Sequence, residues 1–201
     1  MRQPGANKYI TMNSKTEIRP VAGEEEMWFA QRLYLDSFPE AERRDTTEWV
    51  RLSFTPGPFS NFIILCDAHP AGFITAWDMG SFAYVEHFAV DVAQRSNGIG
   101  GAALDGFCLR AAGPVVLEVE LPTAGATAAR RIEFYKRHGF QLCEKRYMQP
   151  PYRPGGRSVE LKLMWRGDLD MEGGYDDVVR RIHRDVYNAE VSANVLSKFI
   201  S

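Results

Sequence analysis

The sequence predicts a mixed α/β domain: one central β-sheet of about seven strands with about four helices on its faces, followed by a further helix at the C-terminus. Three observations predict it. The hydrophobic period changes along the chain from helical to extended and back. Two helical segments come before the first run of strands, so the chain does not alternate strand and helix throughout. A strand–helix–strand unit over residues 82–121 requires a crossover connection and places two parallel strands side by side.

The elements follow in order. Residues 1–15 are polar, contain Pro4 and Gly5 and show no period; they read as a loose lead-in. Thr16–Pro20 reads as a short edge strand. Over Glu24–Phe38, Met27, Ala30, Leu33 and Tyr34 recur at helical spacing, and Pro39 stops the helix. Asp45 followed by Glu48 has the form of a capping box and opens a second helix carrying Trp49 and Leu52. Pro56–Ser60 is a loop. Phe62–Cys66 is an apolar run that reads as a buried strand, and the turn at Asp67–Pro70 pairs it with Ala71–Trp77. Phe82–Val90 is a third strand of this group. Gly98–Ala111 sets Ile99, Ala103 and Phe107 in one helical stripe. Val115–Leu121 alternates, with Val115, Leu117, Val119 and Leu121 on one face and Glu118 and Glu120 on the other. Thr127–His138 is helical, with Ala128, Ile132 and Tyr135 on one face and Gly139 just past its end. Gln141–Gln149 and Ser158–Trp165 read as the last two strands, around the Pro/Gly-rich loop Pro150–Gly156. Beyond Gly167 the composition shifts, and Tyr175–Glu190 forms an amphipathic helix with Val178, Val179, Ile182 and Val186. The organisation is therefore a lead-in (1–15), one domain (16–166) and a helical extension (167–201).

Composition narrows the function. The 24 Lys and Arg residues nearly balance the 26 Asp and Glu residues, giving a formal net charge of −2. No excess positive field is present for nucleic acid. Apolar runs such as Phe62–Cys66 fall far short of the ~18 residues that span a bilayer, so no membrane partner is expected. The start of the chain carries no apolar core of a secretory signal. Cys66, Cys108 and Cys143 are odd in number and scattered, which is neither a disulfide framework nor a metal site. The expectation is a reducing, cytoplasmic compartment and no metal.

The chemistry is concentrated in Phe88–Ala102, where a strand runs into a turn and two glycines, Gly98 and Gly100, open a helix. Glycines there let a ligand approach the backbone, and the free N–H groups with the helix dipole form an anion site suited to a pyrophosphate. Gln94 and Arg95 add side-chain donors. Gly98, Gly100 and Ala103 formally satisfy the dinucleotide pattern G-x-G-x-x-A, and Glu118 lies 20 residues beyond Gly98. Yet in a dinucleotide fold the first glycine follows its strand almost at once, whereas here Ala93–Asn97 intervene.

The alternative pattern is [Gln/Arg]-x-x-Gly-x-[Gly/Ala], met by Arg95, Gly98 and Gly100. This turn resembles the coenzyme-A-binding turn of the GNAT superfamily of N-acetyltransferases. Phe88-Ala89-Val90 stands where that family has the strand before the turn. Phe134-Tyr135-Lys136-Arg137-His138-Gly139-Phe140 resembles the family's later signature, at the matching spacing and in the matching element order. The resemblance covers about Thr16–Trp165. Tyr147-Met-Gln-Pro-Pro-Tyr-Arg153 also resembles a segment of some bacterial members. One position departs: members often carry Asn seven residues before the tyrosine, and this chain has Ala128.

The resemblance implies a GNAT-like fold and transfer of an acetyl group from acetyl-coenzyme A to an amine. It places the coenzyme along Phe88, Ala89, Val90, Gln94, Arg95, Ser96, Asn97, Gly98, Ile99, Gly100 and Gly101, with Arg131 as a further phosphate partner. An alkyl ammonium has a pKa of about 10, so a base must remove a proton. Glu86 is the first candidate, on the strand where relatives often carry a catalytic glutamate. Its side chain shares a face with Phe88 unless a bulge intervenes. Glu118 and Glu120 are rival bases, or else polar faces and ion-pair partners of Arg130 and Arg131. Tyr135 is the candidate acid for the coenzyme A thiolate; its plain alternative is a core aromatic. The oxyanion donor would be a backbone N–H at Phe88–Val90, exposed if the strands part near residues 88 and 119.

Other residues have quieter expectations. His87 is expected on the face opposite Glu86, packed or hydrogen-bonded. His138 is expected at a helix C-terminus. Trp77, Tyr147 and Tyr152 line an acceptor pocket or the core. The acceptor is a small-molecule or peptide amine. A non-catalytic acyl-coenzyme-A-binding module uses the same turn and is the alternative function. The stripe Val178, Val179, Ile182 and Val186 needs a covering surface, within the chain or on a second copy as a homodimer.

Overall fold

The computed structural model describes residues 15–189. Its strands are β1 (Thr16–Pro20), β2 (Phe59–Cys66), β3 (His69–Asp78), β4 (Ala83–Val90), β5 (Val115–Glu120), β6 (Gln141–Leu142), β7 (Tyr147–Gln149) and β8 (Val159–Arg166). Its helices are α1 (Gly23–Ser37), α2 (Thr46–Phe54), α3 (Ile99–Ala111), α4 (Ala126–Arg137) and α5 (Tyr175–Arg181), the last running into a π-helical turn at Ile182–Val186. The sheet order is β1-β2-β3-β4-β5-β8-β6, with β7 also paired to β8. Among the described residues only β4 and β5 are parallel to one another, and every other pairing is antiparallel. A doubly wound dinucleotide fold needs a parallel sheet, so that alternative fails on topology.

Local chemistry accounts for the elements. The Asp45 side chain accepts from the Thr47 and Glu48 N–H groups and starts α2. Asp67 and Ala68 both adopt positive φ, the geometry of a tight hairpin turn between β2 and β3. Gly139 at φ 80° lets the chain leave α4. Gly72 permits contact between strands: a Cβ there would lie 2.5 Å from the Ala89 carbonyl oxygen on β4.

Two predicted elements differ. Residues 141–149 form β6 and β7 rather than one strand. Cys143 N–H still donates to Leu163 O at 2.9 Å. Beyond it, side chains take the carbonyls: Lys162 Nζ bonds those of Glu144 and Lys145, and Tyr175 Oη donates to that of Arg146 at 2.6 Å. The final helix is α-helical only to Arg181. The lead-in at residues 1–14 and the end of the extension at 190–201 lie outside the described residues.

The sheet separates two cores. Met27, Ala30, Leu33, Tyr34 and Trp49 of α1 and α2 pack on one face, together with Tyr175, Val178, Ile182, Val186 and Tyr187 from the C-terminal segment. Ile99, Ala103, Leu104 and Phe107 of α3 and Ile132 and Tyr135 of α4 pack on the other. The apolar stripe of the last helix is thus covered within the chain: Val178, Ile182 and Val186 are buried and Val179 packs beside them.

Candidate active site

The parallel register of β4 and β5 runs only from Ala83↔Val115 to Val85↔Leu117. Beyond that the strands part, and a cleft of about 780 Å³ opens between them, lined by Phe88, Val90, Gly98, Gly100, Glu118 and Tyr135 among others. Along β4 the Asp91 N–H bonds to Ala71 O on the β3 side. Backbone groups of an extended strand alternate in direction, so Phe88 and Val90 present theirs to the cleft and Ala89 turns to β3.

A bulge decides which way Glu86 points. Thr75 pairs with His87, but Ala76 pairs with Val85, so Glu86 is the extra residue. It therefore shares a face with its neighbour His87, not with Phe88. Phe88 packs near Phe134 of α4, whereas His87 meets Tyr34 of α1 and Glu86 meets Trp77. The expected arrangement, Glu86 with Phe88 and His87 opposite, is corrected here. His87 is 3% exposed; Nε2–H donates to Glu42 O at 3.0 Å, and burial pushes its pKa below the ordinary value despite the nearby Glu86 charge.

The Glu86 side chain is 0% exposed. Arg44 Nε donates to Oε1 and Trp77 Nε1 to Oε2, each at 2.7 Å. Arg44, 5% exposed, is a buried cation that sequence reasoning passed over. Its N–H bonds Tyr34 Oη at 2.8 Å, and its guanidinium lies over the Trp77 and Tyr152 rings and bonds the Val186 carbonyl. A single arginine between two helices carries no periodic signal.

Glu118 lies on the same side of the sheet in a different setting. It lines the cleft, so the residue is half-buried, but its carboxylate is ringed by donors. Tyr147 Oη bonds Oε1; Gln149 Nε2 at 2.5 Å and Tyr187 Oη at 2.9 Å bond Oε2. Burial pushes its carboxyl above the usual range, against the lowering effect of Tyr147, Tyr187, Tyr84 and Gln149. Tyr84, Gln149 and Tyr187 were not predicted as site residues; only the tertiary fold gathers them. Glu120 instead pairs with Arg131 at the surface.

Tyr135 enters from the α4 side, 7% exposed, and burial pushes its phenol up to about 12. The turn before α3 is strongly bent: Ser96 and Gly98 have φ of 69° and 76°. The first intrahelical bond is Ala102 N to Gly98 O, so the N–H groups of Ile99, Gly100 and Gly101 precede it and have no partner within the helix. Arg95, Ser96, Gly98, Gly100, Gly101 and Arg131 line the cleft with Phe88, Ala89 and Val90. Gln94 and Asn97 lie on the turn outside that lining, and the Ile99 side chain, 1% exposed, enters the core. Arg95 Nε folds back onto Val90 O at 3.0 Å. Ala128 is buried, and offers no polar side chain to a ligand. His138 caps α4, but its ring does more than meet a helix end. Nδ1 lies 3.0 Å from Asp105 Oδ2, and the ring sits where a Gly101 Cβ would be. Burial alone would raise the Asp105 carboxyl, but Arg166 and His138 hold it below the usual range.

Comparison with known proteins assigns this architecture to a family. The model of the acetyltransferase (GNAT) domain matches residues 58–142. A protein from Bacteroides thetaiotaomicron assigned to the GNAT acetyltransferases is 40% identical, over 87% of this chain and 99% of its own, with a TM-score of 0.82. The chain belongs to the GNAT family. It is, accordingly, an acetyl-coenzyme-A-dependent N-acetyltransferase. Ard1 from Thermoplasma volcanium is 25% identical over 77% of this chain and 99% of its own, at a TM-score of 0.55. Arabidopsis thaliana NAA60, solved in complex with acetyl-CoA, shares the GNAT fold at 19% identity over 75% and 97% of the two chains, at 0.57. No curated protein matches the chain. Among the described residues no helix is long and apolar enough to cross a membrane.

Proposed function

We propose that this GNAT enzyme acetylates a primary amine of a small molecule or peptide by direct attack, with Glu118 taking the ammonium proton and Tyr135 protonating the departing thiolate. The observation that carries the reading is the opening between β4 and β5, with Glu118 facing the α1/α2 side and Tyr135 the α4 side. Acetyl-coenzyme A is the substrate of the α3/α4 side. Its pyrophosphate suits the N–H groups of Ile99, Gly100 and Gly101 with Arg95 and Ser96 beside them, and its arm suits the edge of Phe88 and Val90.

The steps balance simply. The acceptor ammonium gives a proton to Glu118. The free amine attacks the thioester carbonyl carbon, and a tetrahedral oxyanion forms against the Phe88 N–H. Collapse breaks the carbon–sulfur bond, the thiolate takes the Tyr135 proton, and the second proton lost by the amine nitrogen restores the phenol through solvent, so the products are a neutral amide and a thiol, with the ammonium proton on Glu118 released to water.

Between the carboxylates, environment supports Glu118. A base must gain a proton near neutral pH. Glu86 is already an ion pair with a buried arginine. Glu118 is surrounded by neutral donors and is pushed toward holding a proton. Glu86 is the second reading, favoured by its place at the bulge on the cleft wall.

The test is thiol release from acetyl-coenzyme A over a panel of alkyl amines and peptides, comparing Glu118→Gln with Glu86→Gln. Loss of a general base costs about 10²–10⁴-fold in kcat. Glu118→Gln is expected to show that loss with unchanged acetyl-coenzyme A affinity by calorimetry. Loss confined to Glu86→Gln would move the role to Glu86.

A further inference from the structure

The Glu118 carboxylate is completed by a residue from outside the stretch that the GNAT family model matches. Tyr187 follows the π turn at the end of α5 and is 8% exposed. Its hydroxyl donates to Glu118 Oε2 at 2.9 Å, accepts from Gln149 Nε2 at 2.9 Å, and lies 3.1 Å from Tyr84 Oη and 3.5 Å from Tyr152 Oη. It is the hub through which β4, β7 and the Pro/Gly-rich loop meet Glu118.

The local backbone is built to place it there. At about 100° per residue, an α-helix with Ile182 facing the core would carry Tyr187 about 140° away from that face. The π turn at Ile182–Val186 advances less per residue. Ile182, Val186 and Tyr187 all face inward as a result. The turn is held at both ends: Arg181 Nη1 bonds Met79 O at 3.0 Å and Ser81 Oγ at 3.1 Å, and Arg44 bonds Val186 O. Arg44 is the residue that also holds Glu86, so one cation ties the C-terminal segment to β4.

We propose that Tyr187 is a positioning residue of the acetyl transfer: the C-terminal segment delivers its phenol to hold the Glu118 carboxylate in the geometry that receives the acceptor's proton. This rests on Glu118 as the base. The groups that face Glu118 are Tyr84 of β4, Tyr147 and Gln149 of β7, Tyr152 of the following loop and Tyr187. Burial pushes all four phenols well above their ordinary values, so they stay neutral donors. Removing one donor leaves the ionised carboxylate less supported, and Glu118 then holds its proton to higher pH.

Two measurements on the full chain test this. The first is carbon-13 NMR titration of carboxyl-labelled glutamates, with Glu118 assigned by its disappearance in Glu118→Gln. One hydrogen bond to a charged group corresponds to about one pH unit, so Tyr187→Phe is expected to move the Glu118 midpoint upward by about that much. The second is the pH profile of thiol release with the amine and peptide panel. Tyr187→Phe is expected to shift the acid limb upward and lower kcat about tenfold, with the acetyl-coenzyme A dissociation constant unchanged. Tyr175→Phe is the control: it removes another phenol of the same segment, bonded to Arg146 O rather than Glu118, and should leave midpoint and limb in place. A wild-type midpoint and limb in Tyr187→Phe, with activity lost in Glu118→Gln, overturns the role of Tyr187 alone. Full activity in Glu118→Gln overturns the base assignment and this inference together. An equal shift in Tyr175→Phe assigns the effect to docking of the segment and overturns the specific role.

Discussion

Replacing Arg44 by Met tests how the α1/α2 side of this GNAT domain is held. Arg44 neutralises a Glu86 side chain with no exposed surface, reaches it at 2.7 Å, and lies 5.0 Å above the Trp77 ring and 5.5 Å above that of Tyr152. Met keeps the stem and removes the charge. Glu86 is then left buried with Trp77 as its remaining named donor. Breaking a buried pair from one side costs about 3–5 kcal/mol, because an uncompensated charge stays behind. In a domain of this size that lowers Tm by roughly 6–20 °C. The decisive comparison is the double variant Arg44→Met/Glu86→Gln. If the cost is the stranded charge, the double variant regains at least half of it, although both polar partners are changed. Urea unfolding with equal m values gives the free energies. A single variant within about 1 kcal/mol of wild type, or a double variant no more stable than the single, would refute the reasoning.

Three other outcomes are expected. Tyr135→Phe removes the phenol proton from a buried site and should lower kcat by about 10²-fold or more, with acetyl-coenzyme A binding unchanged by calorimetry. Gly72→Ala sets a Cβ 2.5 Å from Ala89 O. It should force β3 from β4 and cost roughly 1–3 kcal/mol in urea unfolding. His87 is held neutral by burial, its folded pKa lowered from 6.5. The unfolded chain therefore binds the extra proton first, so stability is present above about pH 6.5 and falls as the pH drops through the window below it. Unfolding measured across that window should show a slope that His87→Gln flattens.

The sequence was legible wherever chemistry is local. The switch of period places the helices, Asp45 announces α2, and the two glycines after Arg95 announce the bent turn that opens α3. What escaped depends on contacts between distant segments. Side chains of Lys162 and Tyr175 divide β6 from β7, and no pattern within residues 141–149 records them. The Glu86 bulge lies in the pairing of two strands, so alternation along β4 alone put that side chain on the wrong face. Arg44, Gln149 and Tyr187 each look like ordinary residues of their own segments. They become site residues because 142 positions separate Arg44 from the carbonyl it binds.

The divided core gives the two ends of the chain a shared task. The stretch that the family model matches, residues 58–142, holds the glycine turn, α3, α4 and the parting strands. It stops short of Tyr147, Gln149 and Tyr187, and it begins after α1, α2 and Arg44. One face of the sheet is thus covered by helices from within that stretch, and the other by segments from the two ends of the chain. The first and last segments meet there, where Arg44 binds the Val186 carbonyl, so the wall on that side closes only when both ends of the chain are in place.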